Sequence, residues 1–201
     1  MVAERSTSAD KSSADKPPVA ERRNLQIVLA GFGGQGLLFA GKIIAEAGLI
    51  EGRELSWLPS YGPEMRGGTA NCSVVIDKTT VASPVIAVPD TLIAMNKPSL
   101  TKFESKVRSG GKILINSSLI SEKPSRSDIE AYCIPANDIA HSAGNDKAAS
   151  LVMMGAYLAL SGFLSYDAAK AAISKYFSAK PAFIASNLAA FEAGYNLFSD
   201  K

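Results

Sequence analysis

A strand that runs directly into a glycine turn constrains this chain more than any other feature. Residues 25–30, LQIVLA, are an apolar, β-branched run of the kind that is buried on both faces of a sheet. They lead into Gly31-Phe32-Gly33-Gly34-Gln35-Gly36, which fits the spacing G-x-G-x-x-G. The following LLFAGKIIAEAGLIEG reads as a helix, with Leu37, Leu38, Ala40, Ile43, Ile44 and Ala47 at helical spacing and Gly48 or Gly52 near its end. A strand, glycine turn and helix in this order can offer backbone N–H groups and a helix N-terminus to a phosphate, and the same order also serves as a purely structural tight turn.

A dinucleotide site requires one thing more, an acidic residue about 20 positions on, at the end of the second strand, to hold the ribose hydroxyls. Here the second strand, ELSWL, runs on into Pro59 and Ser60, while Glu51 and Glu54 fall before it or at its start. The nicotinamide reading therefore lacks its second requirement. An anion or nucleotide-phosphate site and a structural turn both stay open.

Beyond the second strand, the nine residues SYGPEMRGG contain three glycines and one proline, which no regular element tolerates, so this is a shaped loop. TANCSVVI predicts a strand, Asp77-Lys78-Thr79 a turn, and TTVAS with PVIAV further extended chain, together an inserted β-hairpin. TLIAM, KILIN and AYCI predict further strands. Ser99 is placed as the N-cap of a helix reaching Val107, and helices are expected from about Asn145 to Leu160, Tyr166 to Phe177 and Ala182 to Phe198. The fold class that follows is α/β, a three-layer α/β/α domain over residues 25–201 with a mostly parallel sheet, an inserted β-hairpin and a helical C-terminus. Residues 1–24, rich in Ser, Ala, Lys, Asp and Pro without an apolar face, are expected to form a flexible tail. They have no apolar core of a signal peptide, and Glu4, Asp10, Asp15 and Glu21 argue against a transit peptide.

Composition narrows the function classes. The net charge is +2 over 201 residues, and beyond the tail 16 basic residues face 15 acidic ones, too even a balance for a nucleic-acid binder or a polybasic membrane-surface protein. No apolar stretch reaches the roughly 20 residues of a membrane span. Cys72 and Cys133 are too few for a disulfide framework or an iron–sulfur cluster, and His141 as the single histidine leaves little for zinc. Both thiols are expected as small buried hydrophobes of a cytoplasmic protein. His141 reads as a surface or capping residue near a helix start. Without paired carboxylates, a G-x-S-x-G elbow or a P-loop, the chain carries no complete catalytic constellation and no metal site of its own.

Ligands of open α/β sheets gather at the carboxyl ends of strands, so the loop containing Tyr61, Arg66, Gly67 and Gly68 should open at the same edge as Gly31, Gly33, Gly34, Gln35 and Gly36. Arg66 beside two glycines presents a fixed charged fork next to bare backbone, suited to a phosphate or carboxylate. Its alternative is an ion pair with Glu64 or with a neighbouring subunit.

The segments VLAGFGGQGLLFAGKIIAEAG, SYGPEMRGGTANCSVVI, PDTLIAMNKPSL, GNDKAASLVMMGAYLAL and NLAAFEAGY together resemble the gamma subunit of 2-oxoacid:acceptor oxidoreductases, in order from about Leu25 to Phe198. These ferredoxin-linked enzymes convert a 2-oxoacid and coenzyme A to acyl-CoA and carbon dioxide. The resemblance implies a non-catalytic but required subunit, working with alpha, beta and ferredoxin-like delta subunits that hold the thiamine diphosphate and the iron–sulfur clusters. It implies a part in covering the active site and in binding coenzyme A, carried here by Gly31, Gly33, Gly34, Gln35, Gly36, Tyr61, Arg66, Gly67 and Gly68. A homodimer is a candidate state of the isolated chain. The SYGPE form of the second loop looks more like the 2-oxoglutarate and branched-chain branches than the pyruvate one, and the tail has no counterpart in the family. Two other readings compete: a stand-alone nucleotide-binding oxidoreductase, and an assembly module whose glycine loops contact protein.

Overall fold

The computed structural model describes residues 5–6, 24–61 and 69–199. Its strands are β1 (Arg5–Ser6), β2 (Asn24–Phe32), β3 (Glu54–Tyr61), β4 (Thr69–Asp77), β5 (Thr91–Ala94), β6 (Lys112–Asn116) and β7 (Glu130–Ile134). They form one sheet in the order β1-β7-β6-β5-β2-β4-β3. The apolar run is the core of β2, buried between a parallel neighbour, β5, and an antiparallel one, β4. Parallel pairing continues from β5 to β6 and from β6 to β7, whereas β3 on β4 and β1 on β7 are antiparallel, so the sheet is mixed.

The hairpin lies elsewhere than the sequence suggests. β4 pairs back onto β3, from Glu54↔Asp77 to Tyr61↔Ala70, and residues 78–90 form no strand. The reason is that β4 already has a partner on each side, β3 and β2, while Pro84 and Pro89 each remove a backbone donor from the segment that follows.

The helices are α1 (Leu37–Ile50), α2 (Lys97–Phe103), α3 (Ala136–Ser142), α4 (Ala149–Ser161), α5 (Tyr166–Tyr176) and α6 (Ile184–Tyr195). Alternation along β2 divides the core in two. Leu25, Ile27 and Leu29 pack with Val74, Ile76, Ile93 and Leu114 beneath α1 and α3 to α6. Val28 and Ala30 pack with Leu92, Ala94, Ile113 and Ile115 against Leu100 of α2 and Val107. The three layers are present, one of them much thinner. Helix α4 is buried almost all round, and no helix among the described residues is long and apolar enough to cross a membrane.

Three of the expected helices differ at their ends. The N-cap of α2 is Asn96, whose side chain accepts from the Ser99 N–H at 2.9 Å, and Ser99 itself is buried in the first turn. The helix ends at Phe103 and gives way to a 3₁₀ turn before Val107. The expected helix from Asn145 starts only at Ala149, and α3 precedes it; the expected helix from Ala182 opens as a 3₁₀ turn. Of the expected tail, Arg5–Ser6 pair with β7 and Asn24 opens β2; the rest lies outside the described residues.

Candidate functional site

Strand direction decides where the loops meet. β2, β5, β6 and β7 run parallel, and two antiparallel steps turn β3 back into the direction of β2. Phe32, the last residue of β2, is in register with Thr69, and Tyr61, the last residue of β3, with Ala70. The glycine loop and both anchors of the second loop therefore stand at one sheet edge. Arg66, Gly67 and Gly68 lie outside the described residues; Tyr61 is placed by its backbone.

Within the glycine loop, Gly34 and Gly36 adopt φ values of 93° and 75°, in the left-handed region that favours glycine. Gly36 is the N-cap of α1, where no side chain caps the first-turn N–H groups. A Cβ built on Gly36 would fall 2.5 Å from the Ser150 hydroxyl oxygen, so glycine lets α4 close under the turn. Ser150 is 3% exposed and its hydroxyl has no partner among the described residues. Gly33 and Gly34 face solvent. Exposed glycine backbone, an uncapped helix start without an acid in its first turn and an orphan hydroxyl beneath it form a cradle suited to an anionic group.

Gln35 has a different place from its neighbours. Its Oε1 accepts the Phe32 N–H at 2.7 Å and its Nε2 donates to the Met95 carbonyl at 3.1 Å, so the side chain spans the ends of β2 and β5. Gly31 leaves room for it: a Cβ there would lie 2.4 Å from Gln35 Oε1.

Asparagines that the sequence reading passed over complete this edge. Asn96 follows β5, Asn116 ends β6 and Asn137 lies in the first turn of α3, and an Asn within three residues of the end of each apolar strand run is the signal that could have found them. Asn116 Nδ2 donates to Asn137 Oδ1 at 2.8 Å, while the Ser118 hydroxyl donates to Asp138 at 3.0 Å and accepts from the Asn137 N–H at 3.2 Å. Asn96 keeps a buried side-chain N–H without a partner among the described residues.

The remaining candidates fall away from the edge or into the core. Glu54 opens β3 opposite Asp77, and Glu51 sits beyond the C-terminus of α1, where it accepts from the Ser165 N–H at 2.6 Å. Both lie at the far edge. The strand beside β2 that would carry a ribose-binding acid is replaced by antiparallel β4. His141 lies in the last turn of α3, not near a helix start, and its exposed ring meets Asp146 at 2.7 Å. Cys72 is buried, donates to the Leu37 carbonyl at 3.4 Å, and desolvation pushes its thiol up to about 12. Cys133 is only half-buried. Among the described residues no three His, Cys, Asp or Glu side chains converge as metal ligands would.

Three comparisons bear on this geometry. The family model described as pyruvate ferredoxin/flavodoxin oxidoreductase matches residues 26–197. The ketoisovalerate oxidoreductase subunit VorA of Methanothermobacter marburgensis is 41% identical over 175 residues, 87% of this chain but 36% of that protein; the chain thus spans little more than a third of this relative. Among solved structures, the gamma subunit of a keto/oxoacid ferredoxin oxidoreductase from Geobacter sulfurreducens superimposes with a TM-score of 0.77 at 30% identity, over 88% of this chain and 99% of that one. A 2-oxoglutarate:ferredoxin oxidoreductase from Magnetococcus marinus, with 2-oxoglutarate, coenzyme A and succinyl-CoA bound, gives 0.81 at 25% identity, over 90% of this chain and 32% of that one.

Proposed function

The chain belongs to the pyruvate ferredoxin/flavodoxin oxidoreductase family, and from that premise we propose that it is the gamma unit of a 2-oxoacid:ferredoxin oxidoreductase that helps bind coenzyme A and cover the active site. The substrate is 2-oxoglutarate or a branched-chain 2-oxoacid. Alpha, beta and ferredoxin-like delta chains hold the thiamine diphosphate and the iron–sulfur clusters, in the cytoplasm. Two cysteines and one histidine in the whole sequence favour this division of labour, since a cluster alone usually takes four thiolates.

The observation that carries the reading is the register that brings the glycine loop and both anchors of the second loop to one edge, Phe32 opposite Thr69 and Tyr61 opposite Ala70. Coenzyme A supplies the thiol that accepts the acyl group. The backbone N–H groups of Gly33, Gly34 and the first turn of α1 receive a phosphate of the same molecule, and Arg66 is assigned a second anionic group. The ketoisovalerate relative supports the 2-oxoacid class, and the similar structure with coenzyme A bound supports coenzyme A as the ligand of the complex.

Calorimetric titration of the full chain with coenzyme A, alone and with its partner chains, tests the reading. One bidentate Arg contact is worth roughly 1.5–3 kcal/mol, so Arg66→Ala should weaken binding by about one to two decades. Unchanged affinity would move the ligand elsewhere, and weakened assembly at unchanged affinity would leave the loop as a protein contact.

A further inference from the structure

We propose that Gln35 is a positioning residue: its carboxamide replaces one missing rung between β2 and β5 and so holds the glycine loop in the shape that receives an anionic group, without touching that group. The parallel ladder of these strands runs from Ile27↔Thr91 to Ala30↔Ala94, and Met95 N still donates to the Ala30 carbonyl at 2.8 Å. In a parallel ladder the next hydrogen bond would run from the Phe32 N–H to the Met95 carbonyl. These two groups are instead joined through Gln35, which accepts from the first at 2.7 Å and donates to the second at 3.1 Å. The strands part here, one into the glycine loop and the other into Asn96 and α2, and the amide fills the gap.

The chemistry of this rung admits few side chains. It needs an acceptor toward β2 and a donor toward β5 within one planar group, which a primary amide provides and a carboxylate does not. Gly31 is part of the same device, because any Cβ there would occupy the space of Gln35 Oε1. With both ends of its amide engaged within the protein and the Gln35 N–H itself donating to the Phe32 carbonyl at 3.3 Å, Gln35 sets the turn that leads to Gly36 and the free N–H groups of α1. The link to an anionic ligand rests on the function proposed above.

The test is Gln35→Ala and Gln35→Glu in the full chain, read by amide hydrogen exchange at Phe32 without ligand and by coenzyme A affinity, each relative to the unaltered chain at the same pH. In Gln35→Glu an ionised carboxylate lacks the donor for the Met95 carbonyl, whereas a protonated carboxyl restores it. Phe32 protection and coenzyme A affinity should fall together, by about tenfold, in Gln35→Ala, which loses the acceptor. Gln35→Glu keeps the acceptor for Phe32, so its protection should hold, while its affinity should fall at about pH 8, where the carboxylate faces the Met95 carbonyl without a proton, and recover toward about pH 4. Gln35→Met, which keeps the bulk of the side chain but neither end of the amide, should lose Phe32 protection in the same way and keeps the test valid if Gln35→Ala does not fold. Lost affinity with unchanged Phe32 protection in Gln35→Ala or Gln35→Met would overturn the proposal and make Gln35 a direct contact. An unaltered chain that binds no coenzyme A, alone or with its partners, would fail the proposed function, while Phe32 protection would still report on the rung.

Discussion

Gly155 of α4 and Gly194 of α6 are where these two helices come closest. A Cβ on Gly155 would fall 2.1 Å from the Phe191 carbonyl oxygen, and one on Gly194 would fall 2.0 Å from that of Val152. Both obstacles are backbone, so neither can swing aside. Gly155→Ala should therefore lie at or above the top of the usual overpacking range, about 3 kcal/mol, by urea denaturation. Gly52→Ala is the comparison: its φ of +69° is strained for alanine, but a Cβ would meet nothing within 4 Å. Its cost should stay near 1 kcal/mol. Equal losses at the two positions would disprove the close-approach argument.

The same crossing explains part of the family resemblance. In the segment NLAAFEAGY, Asn187 donates to the Phe183 carbonyl at 2.7 Å, Phe191 is fully buried and Gly194 lets α4 in. These residues build the helical layer and stand apart from the glycine loops.

Asp90 joins three segments at the edge opposite the glycine loops. Its Oδ2 accepts the Gln26 N–H at 2.9 Å, its carboxylate pairs with Arg108, and its backbone carbonyl accepts from Lys112 at 3.0 Å. Asp90→Ala leaves Arg108 and the Gln26 N–H without this partner and should cost about 3 kcal/mol. Asp90→Asn keeps an acceptor for Gln26 and should recover about 1 kcal/mol of that. Coenzyme A affinity should not change in either variant, since the damage is confined to the far edge. A loss of affinity comparable with that of Arg66→Ala would contradict this separation.

What the sequence made legible was local and periodic. The apolar run of β2, the helix α1 and the strand KILIN follow from burial pattern and glycine placement alone. The common edge of the two loops was legible as well, because β3 was read as a strand with its loop at the carboxyl end. The partner of β4 was not, since pairing between Glu54–Tyr61 and Thr69–Asp77 depends on which neighbour satisfies each edge rather than on alternation. The role of Gln35 was hidden for a related reason. G-x-G-x-x-G describes backbone freedom, and nothing in it distinguishes a side chain facing a ligand from one facing Met95.

Alkaline stability should carry the signature of Cys72. Burial raises its thiol from 9.0 to about 12, with the neighbouring Trp57 opposing this. The folded chain then keeps a proton that the unfolded chain releases, so the stabilising difference is fully present below about pH 9 and is lost as pH rises toward the folded value. The loss from this group approaches about 1.4 kcal/mol per pH unit. Tyr157, also raised by complete burial, acts in the same direction at higher pH. Urea midpoints measured between about pH 8 and pH 11 should fall less steeply for Cys72→Ala than for the unaltered chain. Parallel slopes would show that the thiol does not titrate with folding.

Nicotinamide dinucleotides should bind poorly in spite of the G-x-G-x-x-G loop. In a dinucleotide site the strand next to the first one runs parallel to it and ends in an acid that reaches the ribose. Here that neighbour is β4, which runs the other way and brings its start, Thr69 to Asn71, to the ligand edge. Glu51 and Glu54 are at the far edge, and Gln35 bridges the crevice where β2 and β5 part. The backbone cradle remains available to a phosphate, but among the described residues nothing at this edge selects a nicotinamide ribose. Titration with NADH, followed by nicotinamide fluorescence, should show no saturable change up to about 1 mM, which corresponds to less than about 4 kcal/mol of binding. Coenzyme A titrated under the same conditions should bind to the chain or to its complex. Micromolar NADH binding would revive a self-contained oxidoreductase and require the crevice to open by breaking the Gln35 rung.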